Sequence, residues 1–282
     1  MTGRRFVARR REPLGGGCIN QAWRVGDGER DFFVKTHGAA IARTMFEAEA
    51  AALAELAATG AVRVPLPVGH GTAAGLTFLV LEYLPLGGGG ARALEPLGRR
   101  LAALHRIPQP FFGWHRDNTI GSTPQLNDRG DDWIAFWRER RFGFQLELAA
   151  RNGHGGELQR RGEQLLARFA GLFADYQPAP ALLHGDLWGG NVGCTVDGEP
   201  VIFDPACYYG DREADLAMTE LFGGFPERFY AAYREELPLD RGYPQRRTLY
   251  NLYHVLNHLN LFGGGYRAQA ERMIERLLAE LG

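Results

Sequence analysis

Up to Leu84 the apolar positions come in short runs that mostly alternate with polar ones, and beyond Pro85 they recur at helical spacing. Residues 4–36 read as antiparallel strands: Phe6-Val7-Ala8, then Ala22-Trp23-Arg24-Val25, then Asp31-Phe32-Phe33-Val34-Lys35. A glycine-rich stretch, Leu14-Gly15-Gly16-Gly17-Cys18-Ile19-Asn20, separates the first two, and Gly26-Asp27-Gly28 supplies a hairpin turn between the last two. Residues 41–58 form an alanine-rich helix with Met45, Glu49, Leu53 and Leu56 on one face, while Glu47 points elsewhere. Two more strands fill 62–84, and Pro85 with Gly87 to Gly90 breaks the pattern. That break divides the chain into an N-terminal unit, 1–84, and a C-terminal unit, 85–282. Helices are expected at Leu94 to Ile107, about 131–151, 157–176, 225–236, 245–262 and 267–281, with a long loop over 109–130. A short strand, Ala181-Leu182-Leu183, and a β-run, Val201-Ile202-Phe203, interrupt the helices, and Asp215 opens another helix.

Composition narrows the function. The formal net charge is −1, and the only basic block is Arg9 to Arg11, which argues against a nucleic-acid partner. No apolar run reaches membrane-span length, and no apolar segment follows the basic N-terminus as a signal peptide requires. Cys18, Cys194 and Cys207 lie far apart without metal-ligand spacing, which suits a reducing cytoplasm. Among the 32 Lys and Arg residues, Lys35 is the single lysine. An ammonium is a compact point charge and a guanidinium a broad fork, so a site that needs the former does not accept the latter.

Candidate chemistry sits in His184-Gly185-Asp186-Leu187-Trp188-Gly189-Gly190-Asn191, which fits a kinase catalytic loop, followed by Val201-Ile202-Phe203-Asp204. The spacing supplies a base, Asp186, to orient the acceptor hydroxyl, and two Mg²⁺ ligands, Asn191 and Asp204, for phosphoryl transfer. The ATP side is expected from Gly15, Gly16 and Gly17, whose amides can approach phosphates, and from Lys35 paired with Glu49, with Glu47 as the alternative partner. The backbone of Glu82, Tyr83 and Leu84 would face the adenine edge. Asp215 either braces the catalytic loop or only complements a helix dipole. Asp117, Asn118, Thr119 and Gln125 either line a cleft or cap helices, and His105 reads as a packed helix-end histidine. Other chemistries fail. No Gly-Lys-Ser/Thr loop is present, Val255 stands where a zincin pair of His254 and His258 needs glutamate, and no Gly-x-Ser-x-Gly elbow exists.

These residues carry a family resemblance. Gly15 to Asn20, Met45-Phe46-Glu47-Ala48-Glu49, Asp117-Asn118-Thr119-Ile120-Gly121, the 184–191 loop, Asp204-Pro205-Ala206-Cys207-Tyr208-Tyr209-Gly210 and Tyr253 to Gly263 resemble the fructosamine kinase (ketosamine-3-kinase) family over residues 14–266. The resemblance implies an α+β, bilobal, protein-kinase-like fold, with a small antiparallel β N-lobe carrying one main helix and a larger, mostly helical C-lobe. It implies ATP- and Mg²⁺-dependent transfer to the 3-hydroxyl of ribulosamine, erythrulosamine or fructosamine adducts on amines or protein lysines, which leads to deglycation. It makes Asp186 the proton acceptor, and Tyr208, His254 and His258 candidates for substrate contact, the two histidines being core residues otherwise. The flat face of Trp188 either meets a sugar or the stem of an amine or packs in the core under the loop. Asp-Pro-Ala in place of Asp-Phe-Gly removes the aromatic whose flip regulates protein kinases. The alternatives are an aminoglycoside- or choline-type kinase of the same fold, or a pseudokinase that only binds nucleotide. Cys18 is either a small residue fitting a tight turn or a redox-sensitive thiol. Monomer and homodimer both remain open.

Overall fold

A computed structural model describes residues 6–15, 20–88 and 90–282. The chain first builds a five-stranded antiparallel sheet from β1 (Arg10–Leu14), β2 (Gln21–Gly26), β3 (Asp31–His37), β4 (Pro67–Ala73) and β5 (Leu76–Glu82), in the order β1-β2-β3-β5-β4. The first strand begins at Arg10 rather than at Phe6. Helix α1 (Ala42–Thr59) crosses between β3 and β4 and ends on Gly60 in the left-handed conformation. Its Phe46, Leu53 and Leu56 share one core with Leu79 and Leu81 of β5. Because β3 is a central strand, flanked by β2 and β5, Lys35 is not an edge residue but is buried, at 5% exposure.

After Glu82 the chain is stitched to the C-terminal lobe. The Gly87 amide donates to Cys194 O at 2.8 Å and the Val196 amide to Pro85 O at 3.3 Å. Helix α2 (Gly90–His105) comes next, as the spacing of Leu97, Leu101 and Leu104 predicts. The 109–130 stretch, expected to be loop, holds a small hairpin of β6 (Asn118–Ile120) and β7 (Thr123–Gln125). Strands of three residues leave no readable period. The helix expected over about 131–151 is α3 (Trp133–Trp137), a π-helical turn (Arg138–Phe142) and α4 (Gly143–Arg151). Asp132 caps its start by accepting from the Ile134 and Ala135 amides. Arg141 lies in the π turn, fully buried, with Nη1 donating to Leu126 O at 2.7 Å.

Helix α5 (Glu157–Arg168) leads to β8 (Pro180–Leu183), β9 (Val192–Cys194), β10 (Pro200–Ile202) and β11 (Tyr208–Asp211). These pair as two antiparallel ribbons, β8 with β11 and β9 with β10. Four helices close the chain: α6 (Glu213–Leu221), α7 (Glu227–Glu236), α8 (Tyr243–Phe262) and α9 (Arg267–Glu280). The core of this lobe is apolar around α8, through Leu249, Leu252, Val255, Leu256 and Leu259. A buried ion pair crosses it: Arg246 grips Glu213 at 2.7 and 3.0 Å. Arg246 also meets Asp240 at 2.7 Å, which compensates the guanidinium a second time. Among the described residues no helix is long and apolar enough to cross a membrane.

Candidate active site

The glycine stretch comes first in the sequence, but only one of its candidates can be located. Gly15 follows directly on β1, with open space where a Cβ would stand. Gly16, Gly17 and Cys18 lie outside the described residues.

Lys35 and Glu49 meet as helical spacing predicts: Nζ donates to Glu49 Oε1 at 2.7 Å. The alternative, Glu47, is engaged by Arg43 Nε at 2.9 Å. Lys35 Nζ also donates to Asp204 Oδ1 at 2.5 Å, so a single ammonium joins β3, α1 and the segment after β10. Burial pulls the lysine's pKa down, but the Asp204 and Glu49 carboxylates more than offset this and hold it above its ordinary value, fully charged.

The catalytic-loop candidate is held by its backbone. Gly185 has φ +81°, and a Cβ there would stand 2.1 Å from Ala206 O, so only glycine fits where the two segments touch. Asp215 accepts from the His184 amide at 2.7 Å and from the Gly185 amide at 2.8 Å. Of the two roles open to Asp215, the brace is therefore the one realised. Burial raises its pKa, but His105, His184 and the Gly185 amide more than offset this and keep the carboxylate ionised. His105 completes the brace from α2, with Nε2 at 3.3 Å from Asp215 and Nδ1 at 2.9 Å from the Tyr233 hydroxyl. The His184 ring is fully buried and burial lowers its pKa. As a neutral ring, its Nε2–H donates to Phe203 O at 3.0 Å, and Nδ1 accepts the Asp186 amide at 3.3 Å.

Asp186 follows, half-buried. Asn191 Nδ2 donates to its Oδ2 at 3.1 Å and to its carbonyl oxygen at 2.9 Å. Desolvation and the nearby Asp204 raise the Asp186 pKa to about 7, against the pull of Asn191. A carboxyl so tuned is a base matched to neutral pH. Asp204 has φ +57°, a left-handed conformation uncommon outside glycine, and its side chain keeps 45% exposure. With Asn191's amide nitrogen turned onto Asp186, its side-chain oxygen is left for a cation, beside an open Asp204 carboxylate. Two hard oxygen donors with space for phosphate and water fit Mg²⁺. Among the described residues no group of three or more His, Cys, Asp or Glu is placed to hold a metal alone.

Of the loop candidates, Asp117, Asn118 and Gln125 do something other than line a cleft or cap helices. Asn118 Nδ2 donates to Cys207 O at 2.8 Å and Gln125 Nε2 to Ala206 O at 3.0 Å, so both brace the Asp204-Pro205-Ala206-Cys207 segment from behind. Asn127, not singled out by sequence, joins them through Asn118 at 2.9 Å and Arg141 at 2.7 Å. Asp117 accepts the Asn127 amide at 2.7 Å.

The hinge and acceptor candidates divide by burial. The Glu82 side chain reaches Arg63 Nη2 at 2.5 Å and the Leu66 amide at 3.1 Å. Its own amide bonds to Leu66 O at 2.8 Å. Tyr83 lies under Arg24, 4.6 Å from the ring centroid, and Leu84 is half-buried beside it. Tyr208 and His254 are core residues, at 3% and 5% exposure, and carry no open face toward a substrate. Tyr208 stacks on Trp133 with Arg141 over its ring, and burial holds His254 neutral with a pKa of about 3. Trp188 is open at 39% exposure, and its ring covers Gly190, where a Cβ would clash at 2.3 Å. From Trp188 a row of rings runs outward through Phe222 (6.3 Å), His258 (4.8 Å further), Phe262 (5.4 Å) and Tyr266 (5.1 Å from His258). Phe222, Phe262 and Tyr266 are not expected there from sequence; their only signal is aromatic residues flanking the ends of α6 and α8.

Comparison with known proteins gives the family and the fold. The fructosamine kinase family model matches residues 1–280. A probable ketoamine kinase of Synechocystis sp. is 50% identical over 98% of this chain and 93% of its own length. The chloroplastic protein-ribulosamine 3-kinase of Arabidopsis thaliana is 44% identical over 95% of this chain and 82% of its own. A crystal structure assigned as a fructosamine-3-kinase from Haemophilus somnus superposes with a TM-score of 0.89 at 33% identity, covering 98% of this chain and 93% of that one. An aminoglycoside phosphotransferase shares the fold alone, at TM-score 0.63 and 16% identity over 97% of this chain and 95% of that one. With an antiparallel β N-lobe, a helical C-lobe and a match from end to end, this chain belongs to the fructosamine kinase family.

Proposed function

We propose that the protein is an ATP-dependent ketosamine 3-kinase that phosphorylates the 3-hydroxyl of a ketose joined to an amine. The observation that carries this reading is the meeting of Lys35, Glu49 and Asp204 in one ion-paired group, with Asp186 and Asn191 hydrogen-bonded in the adjoining loop. Family membership supports the acceptor class. In this reading residues 1–84 form the ATP lobe and 85–282 the catalytic and acceptor lobe.

Asp186 accepts the proton of the acceptor hydroxyl as the oxygen attacks the γ-phosphorus in line, and ADP leaves. A carboxyl with a pKa of about 7 is ionised often enough to do this and basic enough to drive it. Lys35, fixed by Glu49, aims its charge at the nucleotide phosphates from a buried, preorganised position. Asn191 and Asp204 would hold Mg²⁺, which supplies charge neutralisation on the phosphates. The backbone of Glu82, Tyr83 and Leu84 serves the adenine, and Gly15 to Gly17 the phosphates. Trp188, with His258 behind it, offers a flat apolar face to the sugar and the stem of the amine. Phosphorylation at the 3-position leaves an adduct that decomposes, so the consequence is deglycation. The reading includes a reducing cytoplasm, which suits two buried free thiols, Cys194 and Cys207.

The test is an ADP-release assay with ribulosamine, erythrulosamine and fructosamine adducts of lysine against an aminoglycoside and choline. Acceleration by one or more ketosamines is expected. Acceleration by the aminoglycoside or choline alone would assign the rival kinase class, and no acceleration by any acceptor would favour a nucleotide-binding pseudokinase.

A further inference from the structure

Helix α1 carries Glu49, and Glu49 sets the position of Lys35. A helix lying on a sheet by apolar contact alone can slide or tilt, and its position is the variable on which protein kinases are regulated. Here α1 is fastened to the other lobe by a group with no role in the proposed phosphoryl transfer. Glu55, six residues beyond Glu49, accepts from the Tyr209 hydroxyl with Oε1 at 2.5 Å and from Trp114 Nε1 with Oε2 at 2.8 Å. Both donors belong to the catalytic lobe. Tyr209 lies in β11, directly after the Asp204-Pro205-Ala206-Cys207 segment, and Trp114 is buried at 2% exposure in the stretch before β6.

The donors are themselves fixed. Gly113 and Tyr209 exchange both backbone hydrogen bonds, at 2.7 and 2.9 Å, so Trp114 and Tyr209 are presented as one unit. The Tyr209 ring is packed against Phe111, at 5.2 Å. Desolvation and the Glu55 carboxylate push the Tyr209 phenol above its ordinary pKa, so it stays a donor. Each Glu55 oxygen accepts one hydrogen bond, with His115 Nδ1 also 4.0 Å from Oε2, and a carboxylate that accepts two hydrogen bonds from a rigid pair is fixed in direction as well as distance. The connection that follows the helix is also tied: Arg63 O accepts the Ile202 amide at 3.0 Å, on the strand that delivers Asp204. Lys35 further links α1 to the segment after β10, through Glu49 and Asp204.

We infer that Glu55 is a positioning residue, an interlobe clamp that holds α1 where Glu49 can orient Lys35 on the ATP phosphates without any activating modification. The inference rests on the assignment of Lys35 to the ATP site. Glu55→Gln and Tyr209→Phe each remove one strong hydrogen bond and leave the packing in place. Both are expected to raise KM for ATP, and the calorimetric Kd for Mg-ATP, on the order of tenfold. KM for the ketosamine and the melting temperature should stay close to wild type. The decisive arm repeats Glu55→Gln in a Glu49→Gln background. If Glu55 acts through Glu49, the second substitution adds nothing to the loss of ATP affinity. A full additional loss in that background, or unchanged ATP affinity in Tyr209→Phe, would overturn the clamp. Should Glu55→Gln fold poorly, Tyr209→Phe with and without Glu49→Gln decides the question in the same way. A wild type that binds no Mg-ATP would overturn the ATP-site assignment and the clamp with it, whereas tight wild-type binding with unaffected variants removes only the clamp.

Discussion

Around Lys35, Asp186 and Asp204 the polar side chains are tied to distant parts of the chain, through Glu49, Asn191, Asp215 and the amides of the 184–186 loop. Around Trp188 the groups touch mainly through ring edges, and Phe262 stands 59% exposed at the end of α8. In the proposed reading the nucleotide side is thus a fixed array of charges and the acceptor side an open aromatic face. Phosphoryl transfer rewards the first kind of construction, because charges that are already placed need no reorganisation when the transition state forms. An acceptor whose amine carries variable groups rewards the second, since a flat apolar face tolerates variation that a hydrogen-bonded pocket rejects.

The sharpest way to break this comparison is at its fixed half. Asp186→Asn should lower kcat by about 10³-fold or more, within the upper range for a lost general base, and leave Mg-ATP binding nearly unchanged. The same substitution should stabilise the ligand-free protein in a pH-dependent way. With its pKa raised to about 7, the native Asp186 resists ionisation, so its favourable protonated state is fully present below the unfolded pKa near 4 and is lost as pH rises through about 7. The asparagine gain should be absent below about pH 4 and complete above about pH 7, on the order of 2 kcal/mol; the full shift would give roughly 4, but the carboxylate keeps some contact with water. Calorimetric melting at pH 4 and pH 8 checks this; equal melting temperatures at pH 8 would show that Asp186 ionises without cost. A smaller effect is expected on the open half. Trp188→Ala should raise KM for a ketosamine about tenfold with kcat and KM for ATP little changed, the pattern of lost uniform binding. Phe262→Ala should matter least, about twofold, and only for acceptors with a long amine substituent. A Trp188→Ala variant that weakened ATP instead would erase the distinction between the halves.

The fixed half is also the more legible in sequence, for the same physical reason. Charged groups that must meet across a site leave local marks: Lys35 near the end of a β-run, Glu49 in phase with Met45 and Leu53, and Asp186 and Asn191 at loop spacing. The chain order of lobes follows from the change of hydrophobic period at Pro85. What sequence does not reveal is contact between distant residues of ordinary type. Asn118, Gln125 and Asn127 are polar, and the first two suggest a cleft or helix caps, yet all three are spent inside, on the carbonyls of Ala206 and Cys207 and on each other. Tyr208 reads as a substrate candidate and His254 as either that or a core histidine; both are buried, and in an aromatic-rich lobe no period separates the two uses. The row from Trp188 to Tyr266 is assembled from the ends of two helices, so nothing local announces it. The π turn that carries Arg141 inward has no residue signature of its own.

The central claim, transfer of the γ-phosphoryl group to the 3-hydroxyl of an amine-linked ketose, is tested most directly by the product. Ribulosyl-lysine incubated with Mg-ATP and the enzyme, followed by ³¹P NMR, should give one new phosphomonoester coupled to the proton on C3 of the sugar, in step with ADP. ADP formed without a sugar phosphate, or a phosphate coupled to protons on another carbon, would contradict the account.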